Sequence, residues 1–266
     1  MKKITLILIA LISFYSYGQK VSFSEHEFET LRKKTEDLAK FYPDSAIVFS
    51  DKLMVLAKES KSQQHLADAI TTKLRADVFS KDALLLNKEA LEINIKHRNT
   101  KEISTNYTLF GIIYLYKADY TNAVKYLNKS LKISQKNKFH SLTKQNYRAL
   151  STLYGLQENY PKALQTVKEA LKLEKENPDH REKGLAYICL ATYYDYISQK
   201  EMSNKYFQLA YNSFKQIKND YNVAVTLLNW SVLFEESDPI KSLEMELEAQ
   251  KIFDNIVPKS LILQTI

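Results

Sequence analysis

The residues with the clearest chemical potential in this 266-residue chain are its histidines, its carboxylates and its single cysteine. His26 and Glu27 begin the helical pattern with which zinc peptidases hold their metal, but Thr30 stands where the second histidine is required. His65 and Asp68 could take part in hydrolysis, yet no nucleophile with an oriented base accompanies them. We therefore expect no enzyme activity, no metal site and no cofactor.

Other sequence patterns that carry chemistry are missing as well. The chain has no glycine-rich phosphate loop, no Gly-x-Ser-x-Gly turn and no carboxylate-rich calcium loop. Cys189 cannot form an internal disulfide because it is the single cysteine, and it follows an apolar helical pattern next to Leu190. We interpret it as a small apolar core residue.

The elements that would position such residues repeat with a fixed period of 40 residues. Small residues recur at that interval, at Thr71, Gly111, Ser151, Ala191 and Ser231. Around the second of them, Tyr107 and Tyr114 share one helical face, and Tyr120, Ala123 and Leu127 form a second face. Two amphipathic faces joined by a short polar turn predict a helical hairpin, and its repetition predicts an all-α solenoid, a curved rod of stacked hairpins.

Composition agrees with an all-helical chain and excludes one class of partner. Four glycines and five prolines are too few for a protein built of turns and short strands. The net charge is +7, but the lysines are spread along the chain and mixed with acids. A nucleic-acid surface would instead cluster basic residues with aromatic ones, so we expect no nucleic-acid partner.

The repeat resembles the tetratricopeptide repeat family, whose pattern is an aromatic, then Leu-Gly, then Tyr, then Ala, Phe, Ala and Pro. The central repeats carry it as Tyr107, Phe110, Gly111, Tyr114, then Tyr147, Leu150, Ser151, Tyr154, then Tyr187, Leu190, Ala191, Tyr194. The resemblance implies a right-handed superhelical solenoid of antiparallel helical hairpins. The period exceeds the family's usual 34 residues by about one and a half helical turns. Stretched repeats of this kind resemble those of peptide-sensing bacterial regulators and motor-protein light chains.

The pattern divides the chain into a signal peptide at residues 1–18 and a solenoid at 19–266. The approximate repeats are 28–63, 64–103, 104–143, 144–183, 184–223 and 224–257. Residues 258–266 are predicted to start a further helix or to fold back as a makeshift cap, and the last second helix is predicted to end near Asn255.

The first residues have the features of an export signal. Lys2 and Lys3 precede an apolar run from residue 4 to 15, followed by the small residues Ser16 and Gly18. The run is shorter than the roughly 20 residues that span a bilayer. We expect cleavage after Gly18, no membrane span in the mature chain, and a location in the periplasm or cell envelope, or outside the cell. The alternative is an uncleaved anchor.

The resemblance also implies a function, the noncatalytic binding of a protein or peptide segment in the concave groove lined by first helices. The groove positions carried over from the alignment are Asp68, Thr72, Arg75, Thr108, Ile112, Tyr116, Gln145, Arg148, Thr152, Ile188, Thr192 and Tyr196. The scaffold could be the sensing part of a signalling protein. The alternative is an accessory N-terminal module of a longer membrane-tethered histidine kinase or transcriptional regulator, which the sequence beyond Ile266 would decide.

Overall fold

A computed structural model describes residues 23–264, and the side chains of residues 23–256. The predicted signal peptide lies outside the described residues. Within them the chain folds into twelve α-helices, paired as six hairpins, with no strand, so the all-α solenoid is confirmed. The first helices of the hairpins are α1 Glu25–Phe41, α3 Gln63–Ala76, α5 Thr100–Tyr116, α7 His140–Leu156, α9 His180–Tyr196 and α11 Asp220–Ser231. The second helices are α2 Pro43–Glu59, α4 Ala83–Lys96, α6 Tyr120–Lys136, α8 Tyr160–Lys172, α10 Lys200–Gln216 and α12 Pro239–Gln264.

Most of the described helices begin at a residue whose side chain caps them. Asp119 and Asn159, 40 residues apart, each accept a hydrogen bond from the backbone N–H three residues later. Asn219 caps α11 in the same way. Such a cap satisfies one of the N–H groups that a helix leaves unpaired in its first turn, so it fixes the starting residue.

The turns between helices are short and share one backbone feature. Among residues 23–264, seven non-glycine residues have positive φ angles between 53° and 60°: Lys61, Arg98, Ala118, Lys138, Glu158, Ser198 and Lys218. Each follows the residue that caps a helix C-terminus, where the left-handed conformation lets the next backbone N–H groups bond the last free carbonyls. In this conformation the Cβ atom crowds the following carbonyl, which costs about 1–2 kcal/mol.

Removing that Cβ atom at one of these turns is expected to stabilise the fold. Replacing Lys138, whose φ is 56°, with glycine should raise the free energy of unfolding by about 1 kcal/mol. The matched control is Lys132→Gly, at an exposed site inside α6, which should lower it by about 1 kcal/mol. Denaturant unfolding of both variants measures the difference, and an equal loss in both would contradict this explanation of the turn.

Small residues, including Gly111 and Ser151 of the 40-residue series, lie where the two helices of a hairpin touch. A Cβ atom added to Gly111 would lie 2.4 Å from Leu127 Cγ, and one added to Gly184 would lie 2.6 Å from Phe214 Cζ. The Ser151 hydroxyl donates to the Ala163 carbonyl across the same crossing at 2.8 Å. The close approach of the backbones therefore depends on these small side chains.

Neighbouring hairpins bury each other's apolar sides. Ala163 and Val167 of hairpin four form one core cluster with Ala186, Leu190 and Tyr193 of hairpin five. The first helices of hairpins one to five also pack against their neighbours in the series, while the second helices of successive hairpins lie farther apart in the described part of the chain. The solenoid therefore curves with its first helices on the inner side.

The curvature is tight enough to bring the two ends of the solenoid together. In hairpin six, α11 contacts α1 of hairpin one, and α12 contacts α2. The Asn219 side chain, which is fully buried, donates from Nδ2 to the Lys40 carbonyl at 3.0 Å. Lys40 lies at the C-terminal end of α1 and Asn219 at the N-terminal end of α11. Hairpin six therefore packs against hairpin one at the end of α1. Six hairpins thus complete one superhelical turn, and the first and last hairpins of the predicted rod contact each other.

The last helix is longer than the sequence indicates. A break is predicted between Asn255 and Pro258, but α12 runs from Pro239 to Gln264 as one helix. A helix can continue past a proline at the cost of a backbone hydrogen bond. Within residues 23–264, no helix is both long enough and apolar enough to cross a membrane.

Candidate functional site

The structure brings the predicted groove residues to the inner side of the solenoid but not all of them to solvent. Thr72 and Thr108 are 2% and 1% exposed, so the prediction that they line an open groove is wrong. The Thr108 hydroxyl donates to Asn146 Oδ1 of the next first helix at 2.9 Å and lies 2.8 Å from Ser130 Oγ. Successive first helices are so close at this position that the side chain meets its neighbour instead of a ligand.

Arg148 is likewise held by the adjacent hairpin. Its Nε donates to Glu182 Oε2 at 3.2 Å, and Arg181 donates to the other oxygen of that carboxylate. Burial lowers the pKa of Arg148, but the Glu182 carboxylate together with Cys189 and Tyr116 outweighs it, and the pKa is raised overall. Burial raises the pKa of the nearby Cys189 thiol, which is therefore a poor nucleophile. This pair of repeats is thus joined by an ion pair at the inner face.

The residues considered for hydrolysis have separate partners. His65 Nε2 lies 3.1 Å from Glu25 Oε2, and its ring packs at 4.5 Å from the Phe28 ring. Asp68 Oδ1 accepts a hydrogen bond from Gln64 Nε2 at 3.1 Å. Among the residues with described side chains, no cluster of three or more histidine, cysteine or carboxylate groups could hold a metal ion.

Asp68 gives the fold a pH dependence. Burial raises the pKa of Asp68 above its ordinary value, and the Glu102 carboxylate adds to the increase. The folded chain then binds this proton more tightly than the unfolded chain, so the ionised carboxylate destabilises the fold at neutral pH. Asp68→Asn should raise the free energy of unfolding at pH 7, and the gain should fade as the pH drops through the raised pKa and vanish below the unfolded value.

Denaturant unfolding across that pH range measures the effect. The control is Asp37→Asn, an exposed residue paired with Lys40, which should change stability by less than about 1 kcal/mol. A gain for Asp68→Asn that persists unchanged in acid would contradict the explanation by burial.

The predicted positions that remain accessible fall into two groups. Asp68, Ile112, Gln145, Thr152, Ile188 and Thr192 are half-buried along the inner face. Arg75, Tyr116 and Tyr196 are exposed. Arg75 reaches Glu36 Oε1 at 3.2 Å, so its charge is partly engaged.

The two tyrosines belong to a row of exposed apolar side chains at the ends of first helices. Tyr116, Leu156 and Tyr196 are 60%, 55% and 62% exposed and lie 40 residues apart, and Phe79 in the turn after α3 is 69% exposed. We call these four residues the apolar rim. The Phe79 and Tyr116 rings lie 4.5 Å apart, and Tyr196 stacks at 5.1 Å on Tyr160 of the preceding hairpin.

Sequence reasoning missed Leu156 and Phe79. Leu156 occupies the same repeat position as the two tyrosines, so the 40-residue spacing could have identified it. Phe79 is out of register because the turn between α3 and α4 is longer than the others. Large apolar side chains that line up on a surface are typical of interaction sites.

Comparisons with known proteins identify the central repeats. A family model for the tetratricopeptide repeat matches residues 102–176, which span α5 to α8. Residues 102–176 are tetratricopeptide repeats. The helical repeat array on either side of this segment is consistent with the family indicated by the sequence. Tetratricopeptide repeats are typical of noncatalytic scaffolds for protein interactions, and they bind along extended concave surfaces.

Solved structures share the fold at low sequence identity. The chain is similar to the crystal structure of BtubC (BKLC) from P. vanneervenii, with a TM-score of 0.57 and 14% sequence identity. The match covers 82% of this chain and 90% of that one. At this identity the likeness concerns the fold alone. No curated protein matches the sequence.

Proposed function

We propose that this protein is a noncatalytic, exported scaffold that binds a protein or peptide segment along the apolar rim and the adjoining inner face. The observation that carries the proposal is the recurrence of Tyr116, Leu156 and Tyr196 on one rim, each more than half exposed. An aromatic or aliphatic side chain left in water at the same place in three successive hairpins gives a ladder of contacts with regular spacing. A segment lying along the rim would bury these side chains and gain about 25 cal/mol for each Å² of apolar surface removed from water.

The half-buried groups of the inner face supply the polar part of the site. Gln145 and Thr192 offer hydrogen bonds on the same inner face as the apolar side chains of Ile112 and Ile188. An apolar core with a hydrogen-bonding border is the usual composition of a protein–protein interface. Such a surface suits a peptide with apolar side chains at regular intervals.

The test uses peptides selected from a random display library against the purified chain. For a selected peptide, the double variant Tyr116→Ala with Tyr196→Ala should bind at least about tenfold more weakly, since two exposed aromatic anchors are lost. The matched control is Leu85→Ala with Ile95→Ala, two apolar side chains exposed on α4 by 70% and 52%. It should leave affinity unchanged. Selection without any binder, or equal loss in both double variants, would remove the rim from the proposal.

Export is supported by the residues that precede the solenoid. Lys2 and Lys3, the apolar run and the small residues before Gln19 fit the pattern that signal peptidases cleave. Expression in a bacterial host should give a mature protein whose intact mass corresponds to a chain beginning at Gln19. A full-length mass in the cytoplasmic fraction would contradict export.

A further inference from the structure

The side of hairpin six that faces away from hairpin five carries an exposed apolar surface. In the preceding hairpins the next hairpin covers the equivalent side. Leu228 and Val232 on the first-helix side, and Leu243 and Leu247 on α12, are between 42% and 60% exposed. They line a furrow of about 400 Å³ between α11 and α12, which we call the end furrow. Its other lining residues are Ser231, Glu235, Glu246 and Gln250.

The register of the repeat shows what covers the same positions elsewhere on the second helices. Leu243 corresponds to Leu164 of α8, which packs in one cluster with Leu190 of the next first helix. It also corresponds to Asn204 of α10, which accepts a hydrogen bond from the Trp230 indole at 2.8 Å. In both hairpins the side chain at this position touches the first helix of the following hairpin.

The first-helix side of the furrow gives the same result. Leu228 corresponds to Thr108, which bonds Asn146 of the next first helix, and to Arg148, which bonds Glu182 of the one after that. The end furrow is therefore continuous with the interface that joins hairpins throughout the solenoid. The shape that fits it is an α-helix crossing α11 and α12 as a further first helix would.

Leu228 and Leu243 of the end furrow differ in chemistry from several of their equivalents. Thr108, Arg148 and Asn204 have polar partners in the inner hairpins, and hairpin six places leucines at their positions. The aliphatic equivalents, Leu164 and Ile188, are at most partly exposed, whereas Leu228 and Leu243 are 42% and 55% exposed. A terminal hairpin that faces water normally has a polar outer face. Four aliphatic side chains on this face indicate that the covering helix is amphipathic, with its apolar stripe turned inward.

Charge specifies the covering helix further. Residues 235–254 hold seven carboxylates and two lysines, in a chain whose net charge is +7. The carboxylates are Glu235, Glu236, Asp238, Glu244, Glu246, Glu248 and Asp254, and all are exposed. Two of them, Glu235 and Glu246, line the furrow itself. A basic flank on the covering helix would complement this acidic border, whereas a second copy of the same face would bring like charges together.

We propose that the end furrow docks a basic amphipathic α-helix of a partner protein, laid across α11 and α12 in the place of a further first helix. The apolar stripe of that helix lies on the four aliphatic side chains, and its lysines or arginines lie beside the carboxylates of hairpin six. This surface shares no residue with the apolar rim, so the two sites are tested independently.

The probe is a fluorescein-labelled, hydrocarbon-stapled 18-residue helix with leucines along one face and lysines flanking them. Its binding to the purified full chain is read by fluorescence anisotropy. Leu243→Glu with Leu247→Glu should weaken binding at least about tenfold, since the variant removes two apolar contacts and adds charge. Both positions are more than half exposed, so a circular dichroism melt should show an unchanged fold.

Three controls make the outcome decisive. Leu85→Glu with Ile95→Glu, at exposed sites on α4, and Tyr116→Ala with Tyr196→Ala should leave probe affinity unchanged. A probe whose lysines are replaced by glutamates should bind at least about tenfold more weakly than the basic probe. Unmeasurable binding of the basic probe, or equal affinity for the Leu243 and Leu247 variant, would overturn the proposal. Sedimentation showing a dimer that this variant dissociates would assign the furrow to a second copy and also overturn it.

Discussion

Replacing Lys144 with alanine is expected to lower the free energy of unfolding by about 3–5 kcal/mol, because it leaves a nearly buried carboxylate without its cation. The Lys144 side chain is 2% exposed, and its Nζ donates to Glu174 Oε1 and to the Asn177 carbonyl, each at 2.6 Å. The second Glu174 oxygen accepts from the Asp179 backbone N–H at 2.8 Å. The pair thus holds the irregular segment between α8 and α9 against α7.

An exposed pair on the same helix pair provides the control. Lys172 lies 2.6 Å from Glu169, but its side chain is 70% exposed, so Lys172→Ala should cost less than about 1 kcal/mol. Lys144→Met combined with Glu174→Leu removes both charges and should recover most of the loss. Denaturant unfolding of the four proteins measures these values. A double variant as unstable as Lys144→Ala would show that packing, and not the unpaired carboxylate, causes the loss.

Replacing Asn106 with leucine is expected to cost about 3–5 kcal/mol, because it leaves one polar atom of each of two fully buried amides, Asn87 Oδ1 and Asn94 Nδ2, without its partner. Asn106 Nδ2 donates to Asn87 Oδ1 at 2.9 Å, and Asn106 Oδ1 accepts from Asn94 Nδ2 at 2.9 Å. All three side chains are 0% exposed. The network joins α4 to α5, so its loss should loosen hairpin two from hairpin three.

A double-variant cycle separates the hydrogen bond from the change in shape. Asn87→Leu together with Asn106→Leu should cost less than the sum of the two single losses, since each single change already removes the hydrogen bond between the two side chains. The control is Asn128→Leu at an exposed site on α6, which should change stability by less than about 0.5 kcal/mol. Strict additivity in the cycle would contradict a coupled network.

The hairpins and their starting residues could be predicted from sequence because their signals are local. Each apolar face lies within one helix, and caps such as Asp119 and Asn159 act within their own turn. The burial of Lys144 could not be predicted, since its partners belong to a 3₁₀ turn at Leu173–Lys175 and a loop that break the repeat. From sequence alone, a lysine at the repeat position of Lys144 would be interpreted as part of a solvent-exposed helix face.

The candidate site was predictable in its repeat positions but not in its exposure. Tyr116 and Tyr196 are exposed, as their place in the first-helix register predicts, whereas Thr72 and Thr108 are buried because the spacing between first helices decides what they face. That spacing depends on small residues such as Gly111 at the crossing. Closure of the superhelix depends on a small rotation accumulated over six hairpins, which no single repeat encodes.

The measurement that tests the central claim most directly is the distance between hairpin one and hairpin six in solution. Nitroxide labels on cysteines placed at Lys40 and Lys218, in a Cys189→Ser background, would flank the contact between Asn219 and the Lys40 carbonyl. Pulsed electron double resonance should then give a narrow distribution at short distance. An open stack with helix spacings of 8–10 Å would separate these hairpins by about 50 Å. A distribution centred near that value would contradict the closed superhelical turn.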